Sequence, residues 1–242
     1  MKKLLFFLVG LVVLVLVAGV LIAGYFGFLP VVSSLFGSDK PRDLGVAVSQ
    51  DQYQQYVSKS MSTVTPLKEE VDGKSLIYSG STPLQASFSQ EEVASRLNYS
   101  TWKYMPLDQV QVKFSPDGTV EVSGRLRLDR LDGFIKQVGG TEYTKADVEK
   151  GLGFLGAALT NPVVYGKGTG SVENNQVTAH IEYLEVGRLP VPLEKIPADS
   201  TFVSVANHVI GQVPGLAVKT ANFDNGMLNF DGTVPTEAQI LQ

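Results

Sequence analysis

The sequence contains no cysteine and only two histidines among its 242 residues. Without a thiol, lipid attachment through a cysteine is excluded, and stray thiol chemistry after export is avoided. His180 and His208 each fall on the polar face of a predicted element, isolated from other candidate ligands. Neither a catalytic triad nor a metal site is therefore predicted. The sequence predicts no catalytic residue, no metal and no cofactor.

Positive charge is scarce beyond the first three residues. Once Lys2 and Lys3 are set aside, 18 basic residues stand against 24 acidic ones. This acidic excess provides no electrostatic attraction to nucleic acid or to an anionic membrane surface. We therefore expect no nucleic-acid partner.

One long hydrophobic run opens the chain. No charged residue occurs from position 4 to position 29. As a helix this run would extend about 39 Å, enough to cross a bilayer core of about 30 Å with some tilt. A cleaved signal peptide is the alternative, but its apolar region usually spans only about 7 to 15 residues. We expect residues 1–30 to form a cytoplasmic N-terminus and a transmembrane anchor.

The charges that flank this run predict its orientation. Lys2 and Lys3 have no acidic neighbours, whereas residues 38–43 (SDKPRD) carry two positive and two negative side chains. The positive-inside rule then places the N-terminus in the cytoplasm. We expect a single-pass protein of the cell membrane with residues 31–242 extracytoplasmic. Within them, 31–43 form a stalk or linker and 44–242 form one domain.

Three β-hairpins are predicted from alternating apolar and polar residues. Their turns fall at 115–118 (SPDG), at Asn174 and Asn175, and at 224–226 (DNG). In the second hairpin the alternation slips after Tyr183, which indicates a bulge or a strongly bent strand.

Helices are predicted between the hairpins, over 144–159 and 198–213. A similar unit, a short alternating run followed by a helix, occurs twice, at 44–59 and at 84–99. Each copy has a serine and an amide or acidic residue at capping-box spacing, Ser49 with Gln52 and Ser89 with Glu92. The pattern predicts an α+β domain whose long, bent, mostly antiparallel sheet packs on two to four helices.

Three glycines in the second hairpin are the candidate site residues. Gly166, Gly168 and Gly170 alternate with other residues and would share one face of a strand. A bare stripe of this kind allows a close approach by a helix, or it lines an apolar groove of the size of a lipid. The pattern leaves both interpretations open.

The order of these features resembles a known group of exported proteins. The features are the apolar N-terminus, the strand leading to FSQEEVASRLN, and three later segments: VQVKFSPDGTVEVSGRLRL, GSVENNQVTAHIEYLEVGRLPVP and VKTANFDNGMLNFDGTVP. Over residues 84–235 they resemble the membrane-anchored YpmS-type and LmeA-type proteins, which are similar to tubular lipid-binding (TULIP-like) domains. The resemblance implies a sheet wrapped around a long helix, an apolar groove for a lipid tail, and no catalysis.

Two functions remain open from the sequence. The first is a membrane-anchored extracytoplasmic protein that binds a lipid or another apolar envelope component, for transfer or for envelope assembly. The alternative is a non-catalytic structural or protein-interaction module of the cell envelope, with an envelope protein as its partner.

Overall fold

The computed structural model describes residues 2–27, 29–138 and 161–242, with side chains from Val13 onward except at Pro30. The chain has an α+β fold, as the sequence predicts. Its helices are α1 Lys2–Tyr25, α2 Pro30–Phe36, α3 Gln50–Ser60, α4 Gln90–Asn98, α5 Leu131–Val138 and α6 Ala198–Gln212. Within the described ranges, no helix combines the length and the apolar character that crossing a membrane requires. The helix predicted over 144–159 lies outside the described residues.

The strands form one large sheet and one small sheet. In chain order they are β1 Thr63–Leu67, β2 Leu76–Ser79, β3 Thr82–Ser89, β4 Leu107–Phe114, β5 Thr119–Leu126, β6 Val163–Glu173, β7 Gln176–Val186, β8 Leu189–Pro190, β9 Ala217–Asp224, β10 Met227–Val234 and β11 Glu237–Leu241. The large sheet has the order β3-β10-β9-β6-β5-β4, with β7 on β6 and β8 on β7. All its pairings are antiparallel.

The large sheet branches at β6. Strand β7 pairs with β6 from Val164 to Glu173. Strand β5 pairs with β6 from Val163 to Thr169, and β9 takes over from Ser171 to Glu173. Because a strand has only two edges, β5 and β9 share one edge of β6 end to end. The sheet therefore divides into two arms, β5-β4 and β9-β10-β3.

All three predicted hairpins are confirmed, and local turn chemistry explains them. Asn174 and Asn175 both adopt positive φ, as do Asn225 and Gly226. A two-residue turn with both central residues in this region matches the twist of the flanking strands. The predicted irregularity in the second hairpin is also confirmed. Because Lys167 pairs with Tyr183 and Gly168 with Ile181, one residue of β7 has no partner across the pair and bulges.

The repeated unit is confirmed in its second copy and only partly in its first. Strand β3 leads directly into α4, where Ser89 and Glu92 form a complete capping box. In the first copy Ser49 accepts a hydrogen bond from the amide of Gln52, but residues 44–48 form no strand. The backbone of Leu44 donates instead to a side chain, the Gln111 amide oxygen, at 2.6 Å.

The small sheet, with the order β1-β11-β2, was not predicted. Strand β1 pairs in parallel with the C-terminal strand β11, which also pairs with β2. Ala238 and Ile240 of β11 pack with Trp102 in one hydrophobic cluster. A second cluster consists of Val110, Val112 and Phe114, with residues of α4 packed against them.

Helix α6 covers the outer edge of β7. The amide of Val177 donates to Asn207 Oδ1 at 2.8 Å, and the amide of Ile181 donates to Asp199 Oδ1 at 2.7 Å. Asp199 Oδ2 also lies 2.9 Å from His180 Nδ1. Two side chains of one helix thus satisfy backbone groups of the strand beside it. These bonds set the position of the helix on the domain.

Residues 37–43, within the predicted stalk, lie against the large sheet. Arg125 donates to the carbonyl oxygen of Asp39 at 2.5 Å, and Arg188 donates to that of Gly37 at 3.2 Å. The predicted stalk, 31–43, thus consists of most of α2 and a segment held by arginine hydrogen bonds.

Beside this segment lies a cluster of four interacting side chains that we call the joint: Arg42, Tyr165, Tyr183 and Glu185. The Glu185 side chain is only 3% exposed and forms an ion pair with Arg42, with Nε donating to Oε1 at 3.3 Å. The hydroxyl of Tyr183 donates to Glu185 at 3.0 Å, and the Arg42 guanidinium lies 4.3 Å from the Tyr165 ring centroid. The Tyr165 hydroxyl donates to Glu121 at 2.7 Å. Burial, and to a smaller extent this hydrogen bond, raises the pKa of Tyr165 to about 12. Each of these polar side chains has a partner.

Candidate functional site

A cavity of about 680 Å³ lies between the small sheet and the ends of four helices. Strands β2 and β11 contribute Leu76, Ile77, Tyr78 and Ile240, and the end of α6 contributes Val209, Gln212 and Val213. Tyr56, Arg96, Leu97, Phe134, Gln137 and Val138 come from α3, α4 and α5, and Lys74, Ser100, Trp102, Met105 and Pro214 come from loops. Its volume falls within the range of small-molecule sites, about 300 to 1,000 Å³, and most of its lining is apolar.

The single tryptophan forms part of the cavity wall. Trp102 is 7% exposed, and its indole N–H donates to Ser75 Oγ at 2.9 Å. The backbone amide of Ser75 donates in turn to Gln137 Oε1 at 2.6 Å. The ring also packs against Phe134, with 5.9 Å between the ring centroids. Satisfied hydrogen bonds and ring packing fix this wall in place.

Three polar side chains in the lining have no such partners. Within the described residues, the Tyr56 and Tyr78 hydroxyls make no hydrogen bond, and the Arg96 guanidinium makes neither a hydrogen bond nor an ion pair. Burial raises the pKa of both tyrosines, and the positive charge of Arg96 lowers it by a smaller amount. Arg96 and the two phenols line the same cavity. We call Tyr56, Tyr78 and Arg96 the cavity triad.

Among the described residues Arg96 has no ion-pair partner, because the acidic residue one turn earlier is already engaged. Glu92 lies four positions before Arg96 on α4, a spacing at which the two side chains commonly pair. Glu92 instead accepts from the amide of Ser89 at 2.8 Å and forms an ion pair with Lys59 at 2.7 Å. The capping box and the neighbouring helix thus use the carboxylate.

The predicted groove glycines do not line this cavity. A Cβ on Gly168 would lie 2.3 Å from the carbonyl oxygen of His180, and one on Gly170 would lie 3.2 Å from that of Thr178. A Cβ on Gly166 would make only ordinary contacts, the nearest at 3.8 Å with Leu184 Cδ1. At Gly168, beside the bulge, the space is thus taken by the backbone of β7, whereas at Gly170 that backbone leaves only a tight contact. The small residues predicted to pack over this stripe, in 144–159, lie outside the described residues.

Neither histidine is among the residues that line the cavity. His180 is exposed and pairs with Asp199, which raises the pKa of the imidazole. His208 Nε2 lies 3.0 Å from the carbonyl oxygen of Val138. Across the residues that the structure describes, no group of three or more His, Asp or Glu side chains could hold a metal ion.

Comparison with protein-family models, with curated proteins and with solved structures finds no match for this chain. The resemblance to YpmS-type, LmeA-type and TULIP-like proteins therefore stays a prediction.

Sequence reasoning missed the cavity triad because its members come from three separate segments. Tyr56 belongs to α3, Tyr78 to β2 and Arg96 to α4. One signal was available in the sequence. Glu92 has both capping-box spacing to Ser89 and ion-pair spacing to Arg96, so the two positions compete for one carboxylate. The conflict could have marked Arg96 as a cation without its usual partner.

Proposed function

We propose that this chain is a membrane-anchored extracytoplasmic protein that binds a lipid or another apolar envelope component, for transfer or for envelope assembly. The cavity is the observation that carries the proposal. Its lining is mainly aliphatic and aromatic, from residues such as Ile77, Trp102, Phe134 and Ile240. Moving an apolar molecule from water into such a site is favourable by roughly 25 cal/mol per Å² of buried apolar surface.

The polar residues of the lining support binding rather than catalysis. They are Tyr56, Lys74, Tyr78, Arg96, Ser100, Gln137 and Gln212. Among the described residues that line the cavity there is no carboxylate and no imidazole. These are the side chains that most often act as general acid or general base. The lining can hold a molecule, but it offers no group of this kind to hydrolyse it.

The membrane anchor is proposed from the sequence of the first thirty residues. The stretch from position 4 to position 29 has no charge, and Lys2 and Lys3 precede it. The backbone is helical over Lys2–Tyr25. An anchor with its N-terminus in the cytoplasm would hold the cavity on the outer side of the cell membrane, close to the lipids of that membrane.

Native mass spectrometry of the full chain tests the binding proposal. We expect the protein, released gently from detergent, to carry a mass excess that disappears under denaturing conditions. Val209→Trp places a large ring in the cavity from α6 and should remove most of this excess. Ser204→Trp is the matched control, because Ser204 is exposed on the same helix, and should retain it.

Two results would contradict the proposal. One is a bare mass for the wild-type chain in the presence of saturating lipid, which would favour the structural or protein-interaction role. The other is equal retention of the excess mass by Val209→Trp and Ser204→Trp, which would place the bound molecule outside the cavity.

A further inference from the structure

We propose that the cavity triad binds the anionic headgroup of an acyl lipid whose tail occupies the apolar part of the cavity. This inference rests on the proposed lipid-binding function and specifies the chemistry of the lipid. The headgroup would be a carboxylate or a phosphate, held by the Arg96 guanidinium and the hydroxyls of Tyr56 and Tyr78.

The charge of the lining is the first argument. The whole chain has a net charge of −4, yet the charged side chains among the cavity's described lining residues are Lys74 and Arg96, both cationic. A cation next to an apolar surface is costly unless water or an anion satisfies it. Because the described lining residues supply no carboxylate, an anion that pairs with these cations would come from a bound ligand. This favours an anionic lipid over a neutral one.

The chemistry of the three side chains is the second argument. A guanidinium presents a planar fork of N–H donors that matches carboxylate and phosphate oxygens. A phenol adds an O–H donor when it is protonated. Burial raises the pKa of Tyr56 and Tyr78, so both remain protonated at neutral pH. Each of the three groups can thus donate a hydrogen bond to an anion in the cavity they share.

The joint shows this arrangement with its anion in place. There Arg42 and Tyr183 both donate to the Glu185 carboxylate, with Tyr165 beside them. The cavity has an arginine and two tyrosines but lacks an acidic residue among the described lining side chains. A lipid headgroup would supply the missing carboxylate or phosphate.

The single tryptophan provides the assay. Trp102 lines the cavity, so a brominated acyl chain bound there quenches its fluorescence by direct contact. The full chain is reconstituted in phosphatidylcholine vesicles and titrated with dibromostearate, at a pH where the acid is ionised. Dibromostearyl alcohol has the same chain without the charge and is titrated in parallel.

We expect the wild-type chain to bind dibromostearate more tightly than the alcohol. Arg96→Gln should weaken binding of the acid by about tenfold to a hundredfold, as expected for the loss of a hydrogen bond to a charged group. It should change binding of the alcohol by less than about twofold. Tyr78→Phe, a milder variant that removes only a hydroxyl, should reduce the preference for the acid over the alcohol by a smaller factor. Lys195→Gln removes an exposed cation away from the cavity and should change neither titration.

The outcomes separate this inference from the function on which it rests. If Arg96→Gln and Tyr78→Phe bind both probes as the wild type does, the headgroup assignment is overturned and lipid binding stands. If neither probe quenches Trp102 in the wild-type chain, both proposals are overturned. In a third arm, inorganic phosphate is added to the bound acid. Relief of quenching by equimolar phosphate would show that the triad binds a free anion, and would overturn the assignment to a lipid headgroup.

Discussion

The joint and the cavity contain the same types of polar side chain, which are paired with carboxylates in the joint and unpaired among the described residues of the cavity. Each combines one arginine with two tyrosines, Arg42 with Tyr165 and Tyr183 in the joint, and the cavity triad in the other region. In the joint, buried Glu185 and its neighbour Glu121 pair with these groups. In the cavity, no described residue does so. Glu185 is buried, and buried polar groups are almost always hydrogen-bonded in folded proteins. The side chains of the cavity triad are only partly buried, so water can hydrate them, and in our proposal a ligand takes the place of that water.

Glu185→Ala should have the largest effect on stability. The change removes a buried carboxylate that accepts from Arg42 and Tyr183. Glu185 is also ion-paired with Arg188 at 3.7 Å. Because the Arg42 and Arg188 side chains are 38% and 24% exposed, both can regain water, which limits the loss of unfolding free energy to about 2 kcal/mol. Urea unfolding of the full chain in detergent, followed by Trp102 fluorescence, measures the change. Glu173→Ala, at an exposed position of the same hairpin, is the control. Equal midpoints for the two variants would mean that the joint contributes little to stability.

Arg96→Gln should leave the unfolding free energy within about 0.5 kcal/mol of the wild type, because Arg96 makes no ion pair with a described residue. The same urea unfolding experiment in lipid-free detergent measures it. A loss as large as that of Glu185→Ala would show that Arg96 stabilises the fold. The contrast between the two regions would then disappear.

The smallest expected effect concerns His180 and Asp199, which form an ion pair but are both exposed. The hydrogen bond to Asp199 raises the pKa of His180, and the same bond lowers the pKa of Asp199. The histidine contribution to stability is complete below its ordinary pKa of about 6.5 and is lost as pH rises through the raised value. The aspartate contribution is present above its ordinary pKa of about 4 and is lost as pH falls through the lowered value. The pair therefore stabilises the fold most between about pH 4 and pH 6.5.

An NMR titration of the His180 ring measures this pairing directly. Its pKa should lie above about 6.5 in the wild type and fall toward that value in Asp199→Asn. Glu194→Gln, an exposed acidic residue on the segment before α6, should leave it unchanged. An unchanged His180 pKa in Asp199→Asn would show that the pair does not form in solution.

Local features of the sequence predicted the hairpins, the bulge in β7, the capping box at Ser89 and α6. In each case the deciding residues are neighbours in the chain, such as Asn174 with Asn175 or Ser89 with Glu92. The parallel pairing of β1 with β11 joins Thr63 to Glu237, and no local pattern reports such a contact. The strand predicted in the first copy of the repeated unit is absent for a similar reason. A strand needs a neighbouring backbone to pair with, and the Leu44 amide donates to the Gln111 side chain instead.

The position of the cavity could not be predicted from the sequence either, because it depends on contacts between distant segments. Alternation showed that Gly166, Gly168 and Gly170 share a face, but it could not show which neighbour comes close to them. At Gly168 that neighbour is the carbonyl of His180, across a bulge. The cavity needs the ends of several helices and a sheet closed by the last strand of the chain. Its position depends on packing between segments that are far apart in sequence.

The hydrogen bonds from β7 to α6 have a consequence for how copies of this chain behave when crowded. An exposed strand edge is a template on which another chain can add a strand, and growth by that route leads to aggregates. Asn207 and Asp199 occupy the outward amides of Val177 and Ile181. A second molecule would have to displace the helix before it could pair with these two amides.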